Sequence, residues 1–108
     1  MQLKNKKCVP CEGGIPPLKP GEINQIKKEL KEGWNVVDYK KLVKEFKFVN
    51  FKHTMDFVNK VANISESEGH HPDLHVSYSK CLIELWTHAI GGLSENDFIL
   101  AAKIDEIN

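Results

Sequence analysis

The chain has 108 residues, which suits one domain that hides somewhat more than about 60% of its unfolded surface on folding, so packing against a second copy would help it. Fifteen cations balance fifteen carboxylates, which argues against a protein that grips nucleic acid through its phosphates. Every cation is a lysine, so no guanidinium fork is available for bidentate capture of an anion, and a substrate with little charge is favoured.

Residues 1–20 carry four of the five prolines (10, 16, 17 and 20) with Gly13-Gly14, and read as an irregular arm ahead of a single domain at 21–108. The arm starts without the apolar stretch of a signal peptide, and no later run reaches membrane-span length. A cytoplasmic location away from membranes is therefore expected. Cys8-Val9-Pro10-Cys11 has the spacing of a redox or zinc half-site, but no second half follows. The plainer reading is a mobile tail with incidental thiols. Three cysteines, an odd number, do not suggest a disulfide scaffold.

After Pro20-Gly21, the spacing of Ile23, Ile26 and Leu30 predicts a short amphipathic helix that stops at Gly33. Trp34-Asn35-Val36-Val37 opens a strand. Between Lys41 and Val49, Leu42, Phe46 and Phe48 alternate with Lys41, Glu45 and Lys47, which predicts a hairpin with one wet face. Asn50 is a fitting N-cap for the next helix, with Phe51, Met55, Val58 and Ala62 as its stripe, backed by Phe57, Val61 and Ile64. Glu66 and Glu68 stand in its last turn, where the helix dipole disfavours negative charge. Either they serve a site or they are solvated surface carboxylates, the latter reading fitting Glu68 better.

Leu74-His75-Val76-Ser77-Tyr78 and Cys81-Leu82-Ile83-Glu84-Leu85-Trp86 read as two strands, with Cys81 as a small core residue. A reversal at Ser79-Lys80 pairs positions whose numbers sum to about 159 and sets His88 opposite His70 or His71. Ser94-Glu95-Asn96-Asp97 fits a capping box opening a last helix, with Phe98, Ala101 and Ala102 on one apolar side and Leu100, Ile104 and Ile107 on another. The order αββαββα predicts an α+β fold, a four-stranded antiparallel sheet with helices on one face.

Three of the five histidines, His70, His71 and His88, surround the second hairpin. Imidazole has an unperturbed pKa of about 6.5, so it both gives and takes protons near neutrality. Pro72 keeps His71 out of the helical region and sends it toward the strand.

Glu66-x₃-His70-His71-Pro72, then Tyr78, Thr87-His88 and Gly92-Leu93-Ser94-x₂-Asp97, together resemble the pterin-4a-carbinolamine dehydratase family over the last two thirds of the chain, from about Trp34. The resemblance implies the sheet and helices derived above, in dimers and tetramers. It implies a hydro-lyase of tetrahydrobiopterin recycling that takes 4a-hydroxytetrahydropterin to quinonoid dihydropterin, with pterin as substrate and no cofactor. It assigns His70 and His88 to proton transfer at the hydroxyl, and His71 to holding the pterin. Glu66 would bond the ring or orient a histidine, while Gly69, Trp86, Thr87 and Ala89 would line the ligand site. Asp97 matches a family aspartate, although its capping-box role explains it without catalysis. Gly69 replaces an aspartate of animal members and Leu74 a tryptophan, so those contacts are absent. Tyr78 matches a family aromatic and fits packing better than ligand contact. His53 and His75 receive no role.

Two other readings compete. The three histidines could ligate a zinc ion, although neighbours entering a strand point to opposite faces. Animal relatives also serve as a dimerisation cofactor of a homeodomain transcription factor, a non-catalytic role that nothing basic in this chain requires.

Overall fold

The computed structural model describes residues 2–9 and 16–107. Helix α1 (Pro20–Lys27) starts with proline in its first turn, where the missing N–H is no loss, and Glu22 Oε1 accepts from the Lys19 N–H at 2.8 Å. It ends before Leu30, and the chain turns through Gly33 into β1 (Asn35–Val37) and β2 (Lys41–Lys47). The hairpin between them turns through Asp38 and Tyr39, both with positive φ (53° and 55°). Helix α2 (Phe51–Glu68) begins under the expected cap, Asn50 Oδ1 accepting from the His53 N–H at 2.9 Å. Strands β3 (Asp73–Val76) and β4 (Lys80–Leu85) follow, then α3 (Glu95–Glu106).

The sheet is antiparallel throughout, ordered β1-β2-β4-β3, so the two hairpins meet along β2 and β4. Leu42, Phe46, Cys81, Ile83 and Leu85 point to one face and are buried with Phe57 and Val61 of α2 and Phe98, Ile99, Leu100 and Ile104 of α3. Full burial of such a side chain is worth about 1.5–3 kcal/mol, so this cluster fixes the helices over one face. The fold is the expected α+β arrangement.

Four local expectations need correction. The β3-β4 reversal falls at Tyr78-Ser79, Ser77 N–H bonding Lys80 C=O at 2.9 Å, which sets Leu74 opposite Ile83 and Val76 opposite Cys81. This differs from the expected register by two positions, and since side chains alternate every residue, no residue changes face. On α2 the buried face is Thr54, Phe57, Val61 and Ser65, while Phe51 and Ala62 are exposed and Met55 and Val58 half-buried. Hydroxyls can be buried here because Thr54 Oγ1 donates to Asn50 C=O and Tyr78 C=O (2.9 and 3.0 Å) and Ser65 Oγ to Val61 C=O (2.8 Å). Helix α3 has no clear wet side, since Asn96 to Ala101, Ile104 and Asp105 are all buried.

The fourth correction concerns the arm, which is docked over residues 2–9 rather than trailing. Leu3, in a turn of 3₁₀ helix at Leu3–Asn5, is 3% exposed and packs into the core cluster. Lys4 and Lys6 pair with Glu106 and Glu95 at the two ends of α3 (3.1 and 2.9 Å).

Candidate functional site

The site forms where α2 ends and β4 runs out. Gly69 caps α2 at φ 67°, a left-handed position that suits glycine, and the Gly69 and His70 N–H groups both return to Ser65 C=O. That sharp stop turns His70 toward the first turn of α3. On the other side, Thr87 is bridged to Gly92 through backbone bonds of 2.8 and 3.4 Å, which closes a tight loop carrying His88 and Ala89. The histidines therefore meet through a helix cap and a loop, not across the β3-β4 ladder, which stops at Asp73 and Glu84.

A cleft of about 250 Å³ lies between these segments, lined by Val9, Gly69, His70, His71, Trp86, Thr87, His88, Ala89 and Asn96. Larger hollows exist elsewhere, but they lack this grouping of imidazoles. His70 points inward, its Nε2 2.6 Å from Oδ1 of Asp97, a carboxylate that is fully buried. The other oxygen of Asp97 accepts from Thr87 Oγ1 at 2.8 Å and from the Ser94 N–H at 3.0 Å. Thr87 Oγ1 also lies 2.7 Å from Ser94 Oγ. One side chain thus completes the capping box of α3 and holds His70. With Asp97 ionised, His70 Nε2–H donates, which fixes the tautomer and leaves Nδ1 as the ring's proton acceptor.

His71 turns the other way and pairs with Glu66 at 3.0 Å on the surface. His88 is exposed and lies against Trp86, ring centroids 4.0 Å apart. Trp86 is itself held, its Nε1–H donating to Asp73 Oδ2 at 3.3 Å and Lys41 Nζ standing 5.8 Å from its ring centre.

Of the site residues read from the sequence, seven line the cleft, Glu66 stands behind His71, and Asp97 is set behind His70 without reaching the wall. Tyr78 sits at the far turn, 66% exposed, so it neither packs into the core nor approaches the cleft. His53 and His75 bond Asn50 and Glu84 on the surface. Among the described residues no three His, Cys, Asp or Glu side chains gather as a metal site.

Sequence reasoning missed Val9 and Asn96. It also misplaced Glu68, whose side chain is 9% exposed and accepts from the Cys8 N–H at 2.8 Å, with Lys103 Nζ 3.4 Å away. Burial alone would push the Glu68 carboxyl up, but the Cys8 amide and Lys103 outweigh it and hold it below the ordinary glutamate value. A lowered carboxyl stabilises the fold above its unfolded value, about 4.3, and that contribution is lost as pH falls through the lower folded value. Thermal unfolding of wild type and Glu68→Gln should therefore differ above about pH 5 and converge in stronger acid. A gap that persists at low pH would show that the charge is not what matters. Cys8 itself is half-buried, its thiol 3.6 Å from Asn96 C=O, and burial pushes it up to about 12, so it stays protonated at neutral pH. Cys11, the other half of the pair, lies outside the described residues.

Comparisons with known proteins point to one family. The family model described as Pterin 4 alpha carbinolamine dehydratase matches residues 16–107. A relative from Rickettsia canadensis, provisionally named a pterin-4-alpha-carbinolamine dehydratase, is 53% identical over 95% of this chain and 94% of its own length. One from Nitrosospira multiformis with the same provisional name is 57% identical over 97% of this chain and 91% of its own. Among solved structures, the transcriptional coactivator/pterin dehydratase of Brucella melitensis superposes with a TM-score of 0.79 at 30% identity, covering 84% of this chain and 97% of that one. A pterin dehydratase-like protein described as a RuBisCO assembly factor in the alpha-carboxysome shares the fold, with a TM-score of 0.61 at 24% identity over 70% of this chain and 89% of that one.

Proposed function

Because the chain belongs to the pterin-4a-carbinolamine dehydratase family, we propose that it dehydrates 4a-hydroxytetrahydropterin by histidine acid-base chemistry. The observation that carries this reading is the cleft in which His70, locked onto buried Asp97, shares a wall with His88 and His71. In the reaction the carbon–oxygen bond breaks and the hydroxyl leaves as water after taking a proton. The neighbouring ring nitrogen loses its proton, and the electron pair of that N–H bond becomes the new carbon–nitrogen double bond of quinonoid dihydropterin. His70 suits the base, since Nδ1 is its acceptor and Asp97 stabilises the imidazolium that forms. His88, exposed on Trp86, suits the acid that protonates the departing hydroxyl. His71, paired with Glu66 on the cleft wall, suits a bond to the ring.

No cofactor enters this scheme, because the only bonds that change are in the substrate. The test is a stopped-flow dehydration assay on synthetic carbinolamine with wild type and alanine variants of the three histidines. A chelator in the buffer should change nothing, whereas a zinc-dependent rate would favour the metal reading. Family resemblance supports a role in cytoplasmic pterin recycling; among the described residues no helix is long and apolar enough to cross a membrane.

The protein is also proposed to act as a homodimer or homotetramer. Phe51 is 49% exposed on α2, one turn before half-buried Met55, an apolar spot that a second copy would cover. Phe51→Glu should shift sedimentation toward smaller species, and an unchanged profile would remove α2 from the interface. A coactivator-like role, such as the Brucella melitensis protein is described as having, would survive loss of His70 and His88; a dehydratase would not.

A further inference from the structure

We propose that Val9 is a specificity-determining wall of the cleft, and that Asn96 is the positioning residue that holds it there; this rests on the dehydratase reading. Asn96 Oδ1 accepts from the Val9 N–H at 3.0 Å and Asn96 Nδ2 donates to the Val9 C=O at 2.7 Å. Both backbone polar groups of one arm residue are thus read by one side chain 87 positions away, a two-point contact that fixes where the residue sits and how it is turned. Asn96 is 5% exposed, so few waters are available to take over these bonds. With the strap docked, both polar ends of that amide are satisfied, as a shielded amide requires. The Cys8 N–H on Glu68 and buried Leu3 hold the same strap at two further points.

The strap places a branched aliphatic group on the rim of a cleft otherwise lined mainly by imidazoles, an indole and small residues. Val9 is 67% exposed, so the described residues leave most of it uncovered. Its side chain offers neither donor nor acceptor and acts on shape alone. The reacting carbon and nitrogen need His70 and His88. What remains for Val9 is the substituent that the pterin carries on the carbon beside that nitrogen. Val9 lies outside residues 16–107, the part matched to the family model.

The test uses the full chain, with carbinolamines bearing either a methyl or a dihydroxypropyl group at that carbon. Val9→Gly should raise KM about tenfold for the longer substituent and much less for the methyl, the change falling on KM rather than kcat. Asn96→Ala should shift KM in the same substituent-dependent way. The double variant should be no worse than the worse single one, because Asn96 acts through the valine side chain. A rise equal for both substrates, no rise at all, or additive effects would overturn the inference. Failure of wild type to turn over either carbinolamine would instead remove the dehydratase reading on which it rests.

Discussion

Alanine at His70 or at His88 is expected to lower kcat for carbinolamine dehydration by about 10²- to 10⁴-fold, the range that a positioned acid or base contributes. The two should fall separately, because the rings are held by different means. His70 is anchored at 2.6 Å to a carboxylate with no exposure, whereas His88 rests on the Trp86 ring. Alanine at His71 should act mainly on KM. Its partner Glu66 is 79% exposed and His71 61%, and a surface pair of this kind orients a ring with at most about 1 kcal/mol. Single-turnover absorbance traces separate these outcomes, since a binding loss is recovered at high substrate and a proton-transfer loss is not. Four equal rates would end the catalytic assignment.

Asp97→Asn is expected to leave the protein folded yet cost nearly as much activity as losing His70. The Ser94 N–H and Thr87 Oγ1 donate to one oxygen of Asp97, so an amide here would keep its oxygen toward them and turn its NH₂ toward His70. The imidazole must then accept at Nε2 and carry its proton on Nδ1, the wrong tautomer for a base in the cleft. An equivalent exchange behind the histidine of a serine protease lowers kcat about 10⁴-fold for the same reason. Nitrogen NMR of His70 should report the changed tautomer. Asp97→Ala is the harsher substitution, because it strands the His70, Thr87 and Ser94 donors in a buried site at about 1–3 kcal/mol each. Its melting temperature should drop together with the rate. An Asp97→Asn protein with normal kcat would show that the carboxylate only caps the helix.

What could be read in advance was local. The Asn50 cap, the Ser94-x₂-Asp97 box and the strand alternation each lie within a few residues, and each appears as expected. The histidines and their neighbours were legible for another reason, the ordered motif from Glu66 to Asp97. The second hairpin pairs two positions away from the expected register because Ser79-Lys80 is a poor reversal signal, while the parity that decides burial is the same. Apolarity alone misranked the faces of α2, since Thr54 and Ser65 become buriable once their hydroxyls are bonded to backbone carbonyls. The docked arm had no local signature at all. Its contacts join Cys8 to Glu68 and Val9 to Asn96, pairings across most of the chain that depend on how deeply α3 is sealed.

Helix α3 is capped by the same carboxylate that bonds His70, so on the proposed mechanism winding of its first turn and turnover are linked. If the opening coil of that helix loosens, Ser94 and Asp97 part and the base loses its bearing, even while the sheet beneath stays intact. Warmth or mild denaturant would then silence the molecule before it melts.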